Sequence, residues 1–124
     1  MTDRITLELP ALTRYISTVR LAAVGIAAEL DFDTDAIEEL RMGANELIAL
    51  AIEAAEADGV ERVQVTFLVE AGSIEIMCIF NPASPDAGVQ IDPLAEQILH
   101  AVADDFSVEG STIRLLKRRT NARV

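Results

Sequence analysis

The 124-residue sequence predicts an α+β two-layer sandwich, a mostly antiparallel sheet carrying helices on one face. Three observations predict it. Several short segments alternate apolar with polar side chains, the period of a half-buried strand. Other, longer segments repeat apolar residues every three to four positions, the period of an amphipathic helix. Read along the chain, these segments run strand, two helices, two strands, helix, two strands.

The first strand is "RITLEL" at 4–9, where Ile5, Leu7 and Leu9 alternate with polar neighbours and Pro10 stops the run. From Ala11 to Leu30 the apolar positions Leu12, Ile16, Val19, Ala23, Ile26 and Leu30 recur at helical intervals, and Gly25 weakens that helix only slightly. "DFDTD" interrupts it. Asp33 or Thr34 is the N-cap of the next helix, with Asp35, Glu38 and Glu39 near the positive end of its dipole. This second helix spans about Asp35 to Ala57 and ends at "ADG". "ERVQVTFLVE" and "SIEIMCIF" are the next strands, joined by the hairpin turn "EAGS". "NPASPDAGVQID" at 81–92 is a loop, since prolines and a glycine break any regular period. "PLAEQILHAVADD" is helical, with Pro93 suited to a first helical position. "FSVEGSTIRLLKR" closes the fold as a strand pair turning at Glu109-Gly110.

One helical face is unusual. In "GANELIALAIEAA" the stripe of Ala44, Leu47, Ile48, Ala51, Ile52 and Ala55 is the buried one. The opposite stripe holds Gly43, Glu46, Leu50 and Glu53, two carboxylates either side of a leucine that faces away from the helix's own core.

Composition bounds the function. Half the residues are hydrophobic but only 4% are aromatic and none is tryptophan, so the core is aliphatic and base stacking has little material. The net charge is −11, and residues 1–113 carry 21 acids against 5 bases, a field that repels phosphate backbones. Direct nucleic-acid binding is therefore not expected. Arg114, Lys117, Arg118, Arg119 and Arg123 concentrate the remaining positive charge at the C-terminal end. Cys78 stands alone among apolar neighbours, so it reads as core and permits no internal disulfide. The N-terminal segment has no apolar signal-peptide core and no stretch reaches a membrane-spanning length, so a cytoplasmic protein is expected. His100 forms no convincing base or ligand set, and no metal site is expected. Residues 1–119 form one domain, followed by a basic tail at 120–124.

Long segments of the chain resemble the anti-sigma regulatory factors, small serine kinases built on the histidine-kinase-like ATPase (GHKL, Bergerat) fold. "LPALTRYISTVRLAAVGIAAELDFDTDAIEELRMGANELIALAIEAA" is similar to the family's opening strand, first helix and N-box helix. "SIEIMCIFN" resembles the strand leading to its adenine-binding aspartate, and "AVADDFSVEGSTIRLLKR" its helix-strand-strand ending. The resemblance implies the fold, and it implies where a nucleotide would sit. In the family, the N-box glutamate is a general base and an asparagine four residues on binds Mg²⁺. Glu46 stands at the first position and Leu50, which has no lone pair for a hard cation, at the second.

The remaining nucleotide motifs also depart from the family. Phe80 stands at the adenine-binding aspartate, and Pro82 at the glycine two residues later. The lost charge-assisted hydrogen bond is worth about 1.5–3 kcal/mol, roughly ten- to a hundredfold in affinity. The family's glycine-rich phosphate loop aligns with "VQIDPLAE", which has no glycine, loses a donor at Pro93 and adds Asp92 and Glu96. Thr112 stands at a family phosphate contact.

The expectation is a degenerate, anti-sigma-factor-like regulator acting by protein binding, without ATP or Mg²⁺ as cofactors. The implied partners are a sigma factor or a STAS-type anti-anti-sigma protein. The resemblance also implies a homodimer through the first strand and helix, centred on Ile5, Leu7, Tyr15, Thr18 and Arg20. Two alternatives remain: an active ATP-dependent serine/threonine kinase with an atypical pocket and Glu46 as base, or a dimerisation subunit for a kinase paralogue.

Overall fold

The computed structural model describes residues 2–119 as a five-stranded sheet with three α-helices. In chain order these are β1 (Asp3–Pro10), α1 (Ile16–Glu29), α2 (Thr34–Ala57), β2 (Arg62–Glu70), β3 (Ser73–Ile79), α3 (Pro93–Val102), β4 (Asp105–Glu109) and β5 (Thr112–Arg118). A single 3₁₀ turn, Thr13–Tyr15, leads into α1, so the first helix starts later than its apolar period suggested. The last helix likewise ends at Val102, short of the two aspartates that the sequence reading included. The expected tail at 120–124 lies outside the described residues.

Every strand pairing is antiparallel, in the order β1-β2-β3-β5-β4. Register follows from alternation, because a slip of one residue would turn each strand's apolar set to the wrong face. Ile5, Leu7 and Leu9 oppose Phe67, Val65 and Val63, and Ile76 lies between Phe67 and Leu115. That face carries α2, which packs on β2, β3 and β5, with α1 and α3 against it on either side. The core is aliphatic around Phe67, with Leu40, Leu47, Ile48, Ile52, Ile74, Ile76 and Leu115 all buried.

Local signals set the helix ends. The Asp33 side chain accepts from the Ala36 N–H at 2.8 Å to cap α2, and Asp92 accepts from the Ala95 N–H at 2.8 Å to cap α3, with Pro93 at the first turn. Gly110, at φ 62°, makes the β4–β5 turn in a conformation that L side chains rarely adopt.

The basic residues near the C-terminus do structural work. Lys117 points into the core from β5, only 4% exposed, and donates to Glu39 of α2 at 2.5 Å. Arg114, on the helix-free face of the sheet, reaches Glu75 at 2.6 Å and Asp105 at 3.2 Å. Arg119 donates to the Leu30 carbonyl.

Candidate functional site

The stripe of α2 that seemed to face away from the core is covered. Gly43 and Leu50 are both buried, because α3 lies across them, and this corrects the reading of that face as bare. The approach is close. A Cβ on Gly43 would come within 3.0 Å of a Leu115 methyl and 3.3 Å of a Val102 methyl, so the missing side chain lets α3 settle here. Gly43 faces Val102 near the end of α3, while Leu50 and Glu53 lie beside Asp92 and Ala95 near its start, so the two helices run antiparallel. The apolar residues of the stripe are consumed by this contact. Glu46, half-buried, and Glu53, exposed, remain at its outer edge.

The sequence-selected positions end in four places. Glu46 and Leu50 line one shallow cleft of about 230 Å³ between α2 and α3, together with Asp92 and Leu94. Phe80 is 3% exposed at the end of β3, and its N–H meets the Ser111 carbonyl at 3.4 Å, next to Thr112 at the start of β5. Pro82 and Pro93 are exposed, the first in the 81–92 segment and the second at the start of α3.

The 81–92 segment is a strap fixed at both ends. Asp58, at the C-terminal end of α2, accepts from the Ala83 N–H and from the Ser84 hydroxyl, each at 2.6 Å. These bonds hold the Asp58 carboxyl below the ordinary aspartate range, the Ser84 hydroxyl contributing most. Farther along, the Val89 N–H donates to the Gly110 carbonyl at 2.9 Å, and a Cβ on Gly88 would stand 3.1 Å from that same oxygen. Val89 is thereby buried in the same apolar cluster as Leu50, Phe80 and Ala95. Sequence reasoning selected the strap only as a loop. Its anchors, Asp58 and Ser84, lie 26 residues apart and carried no local signal.

Leu50 and Phe80 are buried hydrocarbon and offer no oxygen donor to a cation or acceptor to an amino group. The Ala95 N–H at the head of α3, where an anion would be received, is already bonded to the Asp92 carboxylate. Among the described residues no group of three or more His, Cys, Asp and Glu is placed to hold a metal ion.

The residues selected as a contact surface lie apart from this cleft. On edge strand β1, Ile5 is exposed and Leu7 half-buried. On the α1 side, Thr18 is exposed and Tyr15 is half-buried, with the Arg14 guanidinium 5.6 Å from its ring centroid. Arg20 is turned inward, donating to the Asn45 side chain of α2 at 2.8 Å. Leu21 is 68% exposed one turn from Thr18, off the apolar stripe that helical spacing picks out in this segment. No helix among the described residues is long and apolar enough to cross a membrane.

Comparison with known proteins agrees with this architecture. Residues 9–119 match the family described as histidine kinase-like ATPase domain. The serine-protein kinase RsbW of Listeria monocytogenes is 36% identical over 89 residues, covering 69% of this chain and 55% of that protein. The RsbW of Bacillus cereus is 26% identical over 84 residues, covering 68% and 52%. The chain thus spans about half the length of the curated relatives it matches. The crystal structure of the RsbU and RsbW domains of Rv1364c from Mycobacterium tuberculosis superposes with a TM-score of 0.68 at 16% identity. It covers 94% of this chain and 32% of that one, a likeness of fold.

Proposed function

Because the chain belongs to the histidine kinase-like ATPase domain family, and resembles serine-protein kinases within it, we propose that it is an anti-sigma-factor-like regulator. In this reading it acts by binding protein and neither binds nor turns over ATP. The observation that carries the second half is Leu50. At the family's metal-ligand position it is packed beneath α3, where a hard cation would need oxygen donors. Phe80 and the strap give the same reading independent support, since they fill the neighbouring volume with apolar atoms.

The partner is a sigma factor or a STAS-type anti-anti-sigma protein. The acidic surface suits a basic partner, and it disfavours direct contact with nucleic acid. The protein is also proposed to form a homodimer through β1 and α1. β1 is an edge strand with one row of unpaired backbone groups, and Ile5 on β1 and Leu21 on α1 are large apolar side chains left exposed.

Calorimetric titration with ATP and ADP, with Mg²⁺ and again with EDTA, tests the first claim. No saturable heat at millimolar nucleotide is expected. Saturable, Mg²⁺-dependent binding in the micromolar range would refute it and favour an active kinase with an unusual pocket. For the partner, affinity capture from the host followed by mass spectrometry should recover a sigma factor or STAS protein. Repeated recovery of neither would sink the regulatory reading.

A further inference from the structure

The cleft between α2 and α3 has a composition that its structural role does not account for. Its floor is aliphatic, built from Ala49, Leu50 and Ala95 with Ile98 at the side. Leu94 stands at its rim, 66% exposed, a large apolar side chain left in water at the start of a helix. Glu46 and Glu53 mark its two ends on α2. Among the described residues neither carboxylate makes an ion pair, although the nearby Glu38 and Glu39 both do. The exposed leucine and the two carboxylates without ion-pair partners leave the cleft complementary to an apolar side chain held between cations.

We propose that this cleft is a docking groove for an amphipathic, basic helix of a partner protein, with one aliphatic anchor held between two cationic side chains. The proposal rests on the regulatory reading above and adds where the partner sits and what it must carry. The spacing follows from helix geometry. Glu46 and Glu53 are seven residues apart, two turns, or about 10 Å along α2. A partner helix lying along the groove meets both carboxylates with Lys or Arg at positions i and i+7. Leucine or isoleucine at i+3 or i+4 then points into the floor. A volume of about 230 Å³ receives one such side chain and little more. Affinity is divided accordingly: the anchor gives burial, and the flanking charges give register and salt-dependent steering.

The probe is a fluorescein-labelled helical peptide of about fourteen residues with Arg at i and i+7 and Leu at i+3 and i+4, titrated into the full chain by fluorescence anisotropy. Two controls accompany it: the same peptide with Glu for both Arg, and one with Ala for both Leu. The expected result is saturable binding to the wild type that weakens at least tenfold in Glu46→Lys/Glu53→Lys. That variant should instead prefer the Glu peptide, while Leu94→Ala weakens both. Amide shifts in NMR should cluster on residues 46–53 and 92–98. Glu53 and Leu94 are exposed and Glu46 half-buried, and thermal melts check that the variants fold.

Absence of binding, binding indifferent to charge reversal, or shifts on α1 or the open sheet face would each overturn the proposal. So would loss of self-association on charge reversal, which would give the groove to a second copy of the chain. Failure here is separable from failure of the regulatory reading. If Glu46→Lys/Glu53→Lys still captures a sigma factor or STAS protein as wild type does, the groove is wrong and the regulator stands.

Discussion

At position 50 the buried leucine closes the α2–α3 contact, and the proposed function gives it a second job, standing in the place of an oxygen ligand. Leu50→Asn separates them. The amide would enter an apolar contact without a designed partner, so a loss of about 1–3 kcal/mol is expected in denaturant unfolding. No gain of Mg²⁺-nucleotide binding should accompany it, since Phe80 and the Asp92 cap are unchanged. Lys117 is a second informative residue. Its ammonium is buried and paired with Glu39, whose own side chain is 42% exposed. Glu39→Gln leaves the buried charge with a weaker acceptor and should cost about 1–3 kcal/mol, whereas Lys117→Met should be neutral or stabilising, because it removes the desolvated charge itself. Urea midpoints of the two variants decide this. Burial pushes the Cys78 thiol up to about 12, so a thiol reagent at pH 8 should label it only as the protein unfolds.

Among the larger pieces, the strap at 81–92 has few regular backbone bonds and depends on its two fixings. Asp58→Ala removes the one at the end of α2. The expected consequence is faster amide exchange at Ala83 and Ser84 and earlier proteolytic nicking within 81–86, with the sheet amides unchanged. The pH response has a definite sign. A carboxyl whose folded value is lowered stabilises the fastened state above its ordinary range, and loses that contribution as pH falls through the folded value. The strap should therefore stay fastened at neutral pH and release only in acid below the ordinary aspartate range, seen as a shift of the Ala83 amide in an NMR titration. A release between pH 6 and 7 would contradict this. Elements of this kind were poorly legible in the sequence. Strands and helices announce themselves through alternation and period, and "RITLEL", "SIEIMCIF" and the α2 segment were read within a residue or two. The fastening of a loop to Asp58 has no period. Likewise, Gly43 and Leu50 looked exposed because one helix's pattern does not contain the neighbour that covers it.

On the scale of the whole molecule, the β1 edge and the exposed side of α1 are where assembly is proposed. Ile5→Lys with Leu21→Glu should lower the sedimenting mass from dimer to monomer without changing the far-ultraviolet circular dichroism, and a wild type that is monomeric at high micromolar concentration would dispose of the dimer. The family fold was legible because it rests on element order along nearly the whole chain. The bond from Arg20 to Asn45 of α2, 25 residues apart in the chain, carried no such signal. The sheet's pairing also sets a schedule. Ile5 lies opposite Phe67 and Leu9 opposite Val63, so β1 has no neighbour until more than fifty further residues have been made. By contrast, α1–α2 and β2–β3 join segments adjacent in the chain and can form early. During synthesis the edge proposed for subunit pairing therefore waits unpaired until β2 is made, yet it has its partner before β4 and β5, at the opposite border of the sheet, exist.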